Sequence, residues 1–252
     1  LSDSLISRLI PSKMVSVPSL VPTDFDRFTT LTIGRISPFK FSSANCCSSL
    51  RLLTSVIIHA LILSSLTVHG KEQTIVVFGD SISAAYGMET EQGWVHLLAQ
   101  RMSTSHPGFQ IINASVSGET TGGGRLRLAG TLEHHQPAIV ILELGGNDGL
   151  RGYPIDRIRQ NLQDMIMAIQ AADAHVLLVG MVLPPNYGKR YTRAFESLFH
   201  EVSETAEVPL LPVLLDGVTT SRSLIQRDGI HPRPEAQPLI MESIFTELEP
   251  LL

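Results

Sequence analysis

The chain has 252 residues, a formal net charge of −5 and 43% hydrophobic residues, which suits one or two folded domains. The charge is unevenly split: residues 1–70 hold six Lys or Arg against three Asp or Glu, whereas residues 71–252 hold 13 against 21. The acidic larger part argues against nucleic acid as a partner. Both cysteines, Cys46 and Cys47, fall in the front segment, so the remainder can build neither a disulfide framework nor a thiolate metal site.

Residues 1–50 are rich in Ser and Pro with little periodicity and read as a disordered or non-native leader. Residues 51–70 look like a secretory signal. Arg51 precedes the apolar run LLTSVIIHALILSSLTV (52–68), and small residues at Val68 and Gly70 invite cleavage after Gly70. Ser, Thr and His59 interrupt the run, which makes it marginal as a permanent membrane span. The expected mature protein is one compact domain over 71–252, periplasmic or secreted.

Within that domain, short apolar runs predict strands at 74–78 (TIVVF), 110–112, 138–144 (AIVILEL), 176–179 and 210–211. Between them lie helical patterns. Trp94, Leu97, Leu98 and Arg101 form one, and Leu126, Leu128 and Leu132 another after the glycines 122–124. Further patterns cover 156–172, 190–205 and the stretch from Ile240 to Leu248. A helix is also expected directly after Ser81. Strands alternating with helices predict an α/β fold, a parallel sheet covered on both faces. Sites in such sheets lie beyond the carboxyl ends of the strands. Gly79-Asp80-Ser81, Asn113 to Gly118 and Gly145 to Asp148 would all reach that rim.

The side chains at the rim suit acyl transfer. Ser81, just past the first strand, can be a nucleophile and a backbone oxyanion donor, or it can cap a helix. His231 is preceded by Asp228, and three residues' spacing lets a carboxylate reach the ring nitrogen that faces away from a nucleophile. The Asn147 amide could donate to an oxyanion or shape a turn. Gly118 could present an unhindered N–H or simply turn the chain, and Asp148 could hold the loop through backbone N–H groups. Leu144, Leu150, Met181 and Leu183 could line an acyl pocket or pack in the core. Gly122-Gly123-Gly124 lacks the Lys of a phosphate loop, and no dinucleotide fingerprint follows the first strand. Asp80, Asp148, Asp228 and His231 are a poor metal set without a second nearby histidine.

Together the blocks GDSISAAYGM (79–88), NASVSGETTGGG (113–124), ELGGNDGLRG (143–152), LPPNYGKRY (183–191) and DGIHPRPEAQP (228–238) resemble the SGNH, or GDSL, hydrolase family over about residues 73–252. The likeness is greatest to a bacterial branch whose members cleave acyl thioesters, lysophospholipids and aryl esters. The resemblance implies a three-layer α/β/α sandwich with a five-stranded parallel sheet of flavodoxin-like type. It implies Ser81 as nucleophile, His231 as general base and Asp228 as its orienting acid. Ser81, Gly118 and Asn147 would form the oxyanion hole. Leu150 and Leu183 would contact substrate, with the segment 150–156 closing over the acyl chain. No metal or organic cofactor is implied, and the partner is a small acyl ester or thioester bound by a monomer. Ile82 departs from the leucine of the family name. Two other readings stay open: a carbohydrate acetylesterase of the same superfamily, and a secreted binding domain with an inactive site.

Overall fold

The computed structural model describes residues 72–252, and the leader and signal-like segments lie outside the described residues. The five apolar runs form β1 (Gln73–Gly79), β2 (Phe109–Asn113), β3 (Ile139–Glu143), β4 (His175–Val179) and β5 (Leu210–Leu211). They pair in parallel in the order β2-β1-β3-β4-β5. Helices α1 (Trp94–Ser105), α2 (Thr121–His135), α3 (Gly146–Leu150), α4 (Ile155–Ala171), α5 (Lys189–Ala206) and α6 (Gln237–Leu248) connect and follow them.

Successive strand residues point to opposite faces, and both faces are apolar here, as a doubly covered parallel sheet requires. Val76, Phe78, Val140 and Leu142 pack with residues of α2, α4 and α5, including Leu128, Met165 and Phe195. Ile75, Val77, Ile141 and Leu177 pack with Trp94 and Leu98 of α1 and with Ile240 and Ile244 of α6. The result is the expected three-layer sandwich. The chain leaves β1 toward β2 on one side and returns to β3 on the other, so a crevice opens at the carboxyl ends of β1 and β3.

Two local expectations fail. Helix α2 does not follow the glycines 122–124; it begins at Thr121 and contains them, with the Thr120 side chain accepting from the Gly123 N–H at 3.2 Å. A Cβ on Gly124 would come within 2.5 Å of Leu144 Cδ1, so this glycine lets α2 lie close to the sheet. Leu144 is fully buried in that core and does not line the pocket described below. Nor does a helix follow Ser81. Residues 81–87 form a run of turns. Asp80 Oδ1 takes the Ile82 N–H at 3.0 Å, Tyr86 N donates to the Ser81 carbonyl at 3.0 Å, and Ala85 adopts φ 57°. A short polar side chain bonding its own backbone offers an alternative to the helix, and here it prevails.

Candidate active site

The nucleophile candidate stands on buried carboxyl groups. Ser81 leaves the end of β1, and beneath it Asp80 and Glu143 are 3% and 0% exposed. Glu143, the last residue of β3, accepts at Oε2 from the Asp80 N–H (3.1 Å) and from the Ser83 hydroxyl (2.5 Å). Burial, reinforced by the Asp80 carboxylate, pushes Glu143 well above the ordinary carboxyl range. Burial also raises Asp80 to about 6, against the opposing pull of the Ile82 N–H, the His231 charge and the Asn147 amide. Sequence reasoning missed this pair. Its one signal was a lone Glu inside the apolar run AIVILEL.

Asn147 lies in α3, entered through Gly145 at φ 121°. Its Nδ2 donates to Asp80 Oδ2 at 3.0 Å. Because a carboxylate can only accept, that bond fixes which end of the amide is the nitrogen and leaves its second N–H for another acceptor. Asp148, next in sequence, is buried and accepts from the Thr121 N–H (2.8 Å) and hydroxyl (2.7 Å). It therefore ties α3 to the start of α2 and is spent on structure.

Gly118 has φ 79°, and a Cβ built there would meet nothing within 4 Å. Backbone conformation, not space, favours glycine at this position. Arg127 steadies the segment: it bonds Glu119 and the Ala114 carbonyl, each at 2.7 Å, and lies 3.8 Å over the Phe78 ring. Among the described residues, neither the Gly118 nor the Ser81 N–H is bonded to a protein acceptor.

The base candidate approaches from a loop 150 residues later. His231 Nε2 lies 2.8 Å from Ser81 Oγ, and Nδ1 lies 2.6 Å from Asp228 Oδ2. Asp228 Oδ1 accepts the N–H groups of Ile230 and His231 at 2.9 and 3.0 Å. Desolvation works against the charge on Asp228, but the Ile230 N–H, the His231 ring and the His231 N–H outweigh it and hold the carboxyl below its ordinary value. An ionised Asp228 accepts only, so Nδ1 carries a proton, and in the neutral ring Nε2 presents its lone pair to Ser81.

Ser81, Gly118, Asn147 and His231 all line one open cavity of about 760 Å³. Its walls are mainly apolar, with Leu150, Met181, Leu183, Pro184, Val213 and Ile230 among them. Leu150 and Leu183 thus border the same space as the reactive groups. Among the described residues, no cluster of three or more His, Cys, Asp or Glu is placed to hold a metal ion.

The profile described as "GDSL-like Lipase/Acylhydrolase family" matches residues 77–238. "Esterase TesA" of Pseudomonas aeruginosa is 45% identical over 192 residues, covering 76% of this chain and 96% of the relative. "Thioesterase 1/protease 1/lysophospholipase L1" of Escherichia coli strain K12 is 39% identical over 179 residues, covering 71% and 85%. The crystal structure of the psychrotrophic esterase EstA from Pseudoalteromonas sp., inhibited by monoethylphosphonate, superposes with a TM-score of 0.68 at 40% identity, covering 71% and 97%. The chain belongs to the GDSL-like lipase/acylhydrolase family, the SGNH hydrolases, and is an ester hydrolase of the serine type.

Proposed function

We propose that this esterase works through a Ser81–His231–Asp228 triad. The observation that carries the reading is the continuous contact from Ser81 Oγ to His231 Nε2 (2.8 Å) and from Nδ1 to Asp228 (2.6 Å). His231 takes the Ser81 proton as Oγ attacks the acyl carbon. The negative oxygen that develops is held by the Ser81 and Gly118 N–H groups and by the free N–H of Asn147. Protonated His231 gives its proton to the departing thiolate or alkoxide, leaving an acyl-enzyme on Ser81. Neutral His231 then draws a proton from water, which attacks the ester, and returning that proton to Ser81 Oγ as the acyl–oxygen bond breaks releases the acid. Asp228 stays ionised and keeps the ring in the right tautomer.

The acyl chain lies in the apolar cavity against Leu150 and Leu183, and the leaving group extends into solvent. No charged cluster surrounds the leaving group, which suits a range of acyl thioesters, lysophospholipids and aryl esters. An acetylesterase would need a small acyl site, and a cavity of about 760 Å³ offers far more room. Rates across esters and thioesters of two to sixteen acyl carbons test this: activity should rise beyond two carbons. Activity confined to acetyl esters of sugars would favour the carbohydrate acetylesterase. All the named groups come from one chain, so a monomer suffices.

The same enzyme is proposed to act outside the cytoplasm, with a mature N-terminus near Lys71. The charge reversal and the signal-like run at 51–70 support this. Intact mass of protein from the native host tests it. A cytoplasmic species retaining residues 1–70 would refute it.

A further inference from the structure

His231 and Ser81 both sit outside regular structure, in the segments 81–87 and 225–233. Yet their hydrogen bond must be held to a fraction of an ångström for proton transfer to be efficient. Something must keep the two loops in register.

A ring of contacts runs from one loop to the other. Tyr86 N donates to the Ser81 carbonyl at 3.0 Å, tying residue 86 to the nucleophile. The Tyr86 carbonyl accepts from Gln226 Nε2 at 2.8 Å, and the same Nε2 donates to the Pro232 carbonyl at 3.0 Å. Gln226 N donates to the His231 carbonyl at 2.8 Å. Both hydrogens of one amide are therefore used, one on each loop, across 140 residues of sequence. Two carbonyl partners also settle the orientation of the amide, since only nitrogen can donate to both. The left-handed turn at Ala85 (φ 57°) then delivers the Tyr86 ring onto His231, with ring centroids 4.5 Å apart and planes inclined by 37°.

We propose that Gln226 and Tyr86 are positioning residues for the Ser81–His231 hydrogen bond: the Gln226 amide staples the nucleophile loop to the base loop, and the Tyr86 ring braces one side of the imidazole. This inference rests on the triad reading above. Gln226 touches neither reacting atom. Tyr86 acts through its ring, because its hydroxyl has no hydrogen-bond partner among the described residues.

The test combines steady-state kinetics with the rate of covalent labelling by a fluorophosphonate, which reports Ser81 activation. Gln226→Glu has no amide hydrogens and sets a carboxylate against two carbonyls. Gln226→Glu and Gln226→Ala should lower kcat and the labelling rate together by about 10- to 100-fold, with KM changed less than about threefold. Tyr86→Phe keeps the ring and should stay within about twofold of the parent, whereas Tyr86→Ala should fall with Gln226→Ala. The double variant Tyr86→Ala/Gln226→Ala should be little worse than either single one, because both remove the same brace. Parental labelling of Ser81 in Gln226→Glu would overturn the staple. A change confined to KM in Tyr86→Ala would make that residue a substrate contact, and equal losses in Tyr86→Phe and Tyr86→Ala would overturn the brace. If Gln226→Ala does not fold, the Tyr86 pair still decides. Labelling at a different serine would instead refute the triad itself.

Discussion

The two halves of this active site treat carboxyl groups in opposite ways. On the nucleophile side, Asp80 and Glu143 lie buried at the carboxyl ends of the neighbouring inner strands β1 and β3, and burial pushes both upward. On the base side, Asp228 is part-exposed, satisfied by two backbone N–H groups and an imidazole, and held down. The first half is stiff because it is built on strand ends and a buried network. The second half is a loop whose order comes from local hydrogen bonds and from its contact with the first. The buried pair holds the Asn147 amide, proposed as an oxyanion donor, whereas the exposed acid holds the ring of His231, proposed as the base.

Removing the acid of the base side should have the larger effect. Asp228→Asn should preserve the fold and cut turnover by up to about 10⁴-fold, since the ring loses the acceptor that fixes its tautomer. Turnover of one thioester and one aryl ester checks it, and both should fall together. On the nucleophile side, Asn147→Ala should lower kcat by about 10²- to 10³-fold with little change in KM, as expected for one lost oxyanion donor. A rise in KM alone would make Asn147 a ground-state contact.

Stability against pH separates the halves further. Asp80 binds its proton more tightly in the fold (about 6) than its ordinary value of 3.8. Between about pH 4 and 6 this group therefore holds more proton in the fold than in the unfolded chain, and its contribution to stability falls as pH rises. The slope is at most about 1.4 kcal/mol per pH unit from this group. Asp80→Asn should flatten that slope in denaturant titrations from pH 4 to 6.5. Asp228 has the reverse sign: its contribution is present above the unfolded carboxyl value and is lost as pH falls through its lowered folded one. Glu143→Gln, which keeps the shape and removes the ionisable proton of an acid pushed upward by burial, should keep kcat within a few-fold of the parent; a large loss would mean that the ionised form is used. The smallest effect belongs to Ile82, which is 8% exposed. Ile82→Leu should cost less than about 1.5 kcal/mol in thermal unfolding.

The sequence was most informative where one residue type carries the signal alone. TIVVF and AIVILEL are β-branched, apolar runs bounded by glycine, and they became β1 and β3. Ile158, Leu162, Met165, Ile166 and Ile169 keep helical spacing and became the buried face of α4. By contrast, α3 is GNDGL, five residues with two glycines and no period to read. The helix expected after Ser81 is replaced by turns because the Asp80 side chain takes the Ile82 N–H and Tyr86 N bonds the Ser81 carbonyl, local bonds that no apolar period announces. Asp228 and His231 were legible as a pair because only three positions separate them. Asp80 and Glu143 were not, because their partnership exists only when β1 and β3 lie side by side.

The central claim is that these dissimilar halves meet at one serine. Treating the full chain with a fluorophosphonate and mapping the adduct by peptide mass tests it most directly. One adduct on Ser81, absent from Ser81→Ala and formed far more slowly in Asp228→Asn, is the result expected. An adduct on another serine, or undiminished labelling of Ser81→Ala, would contradict it.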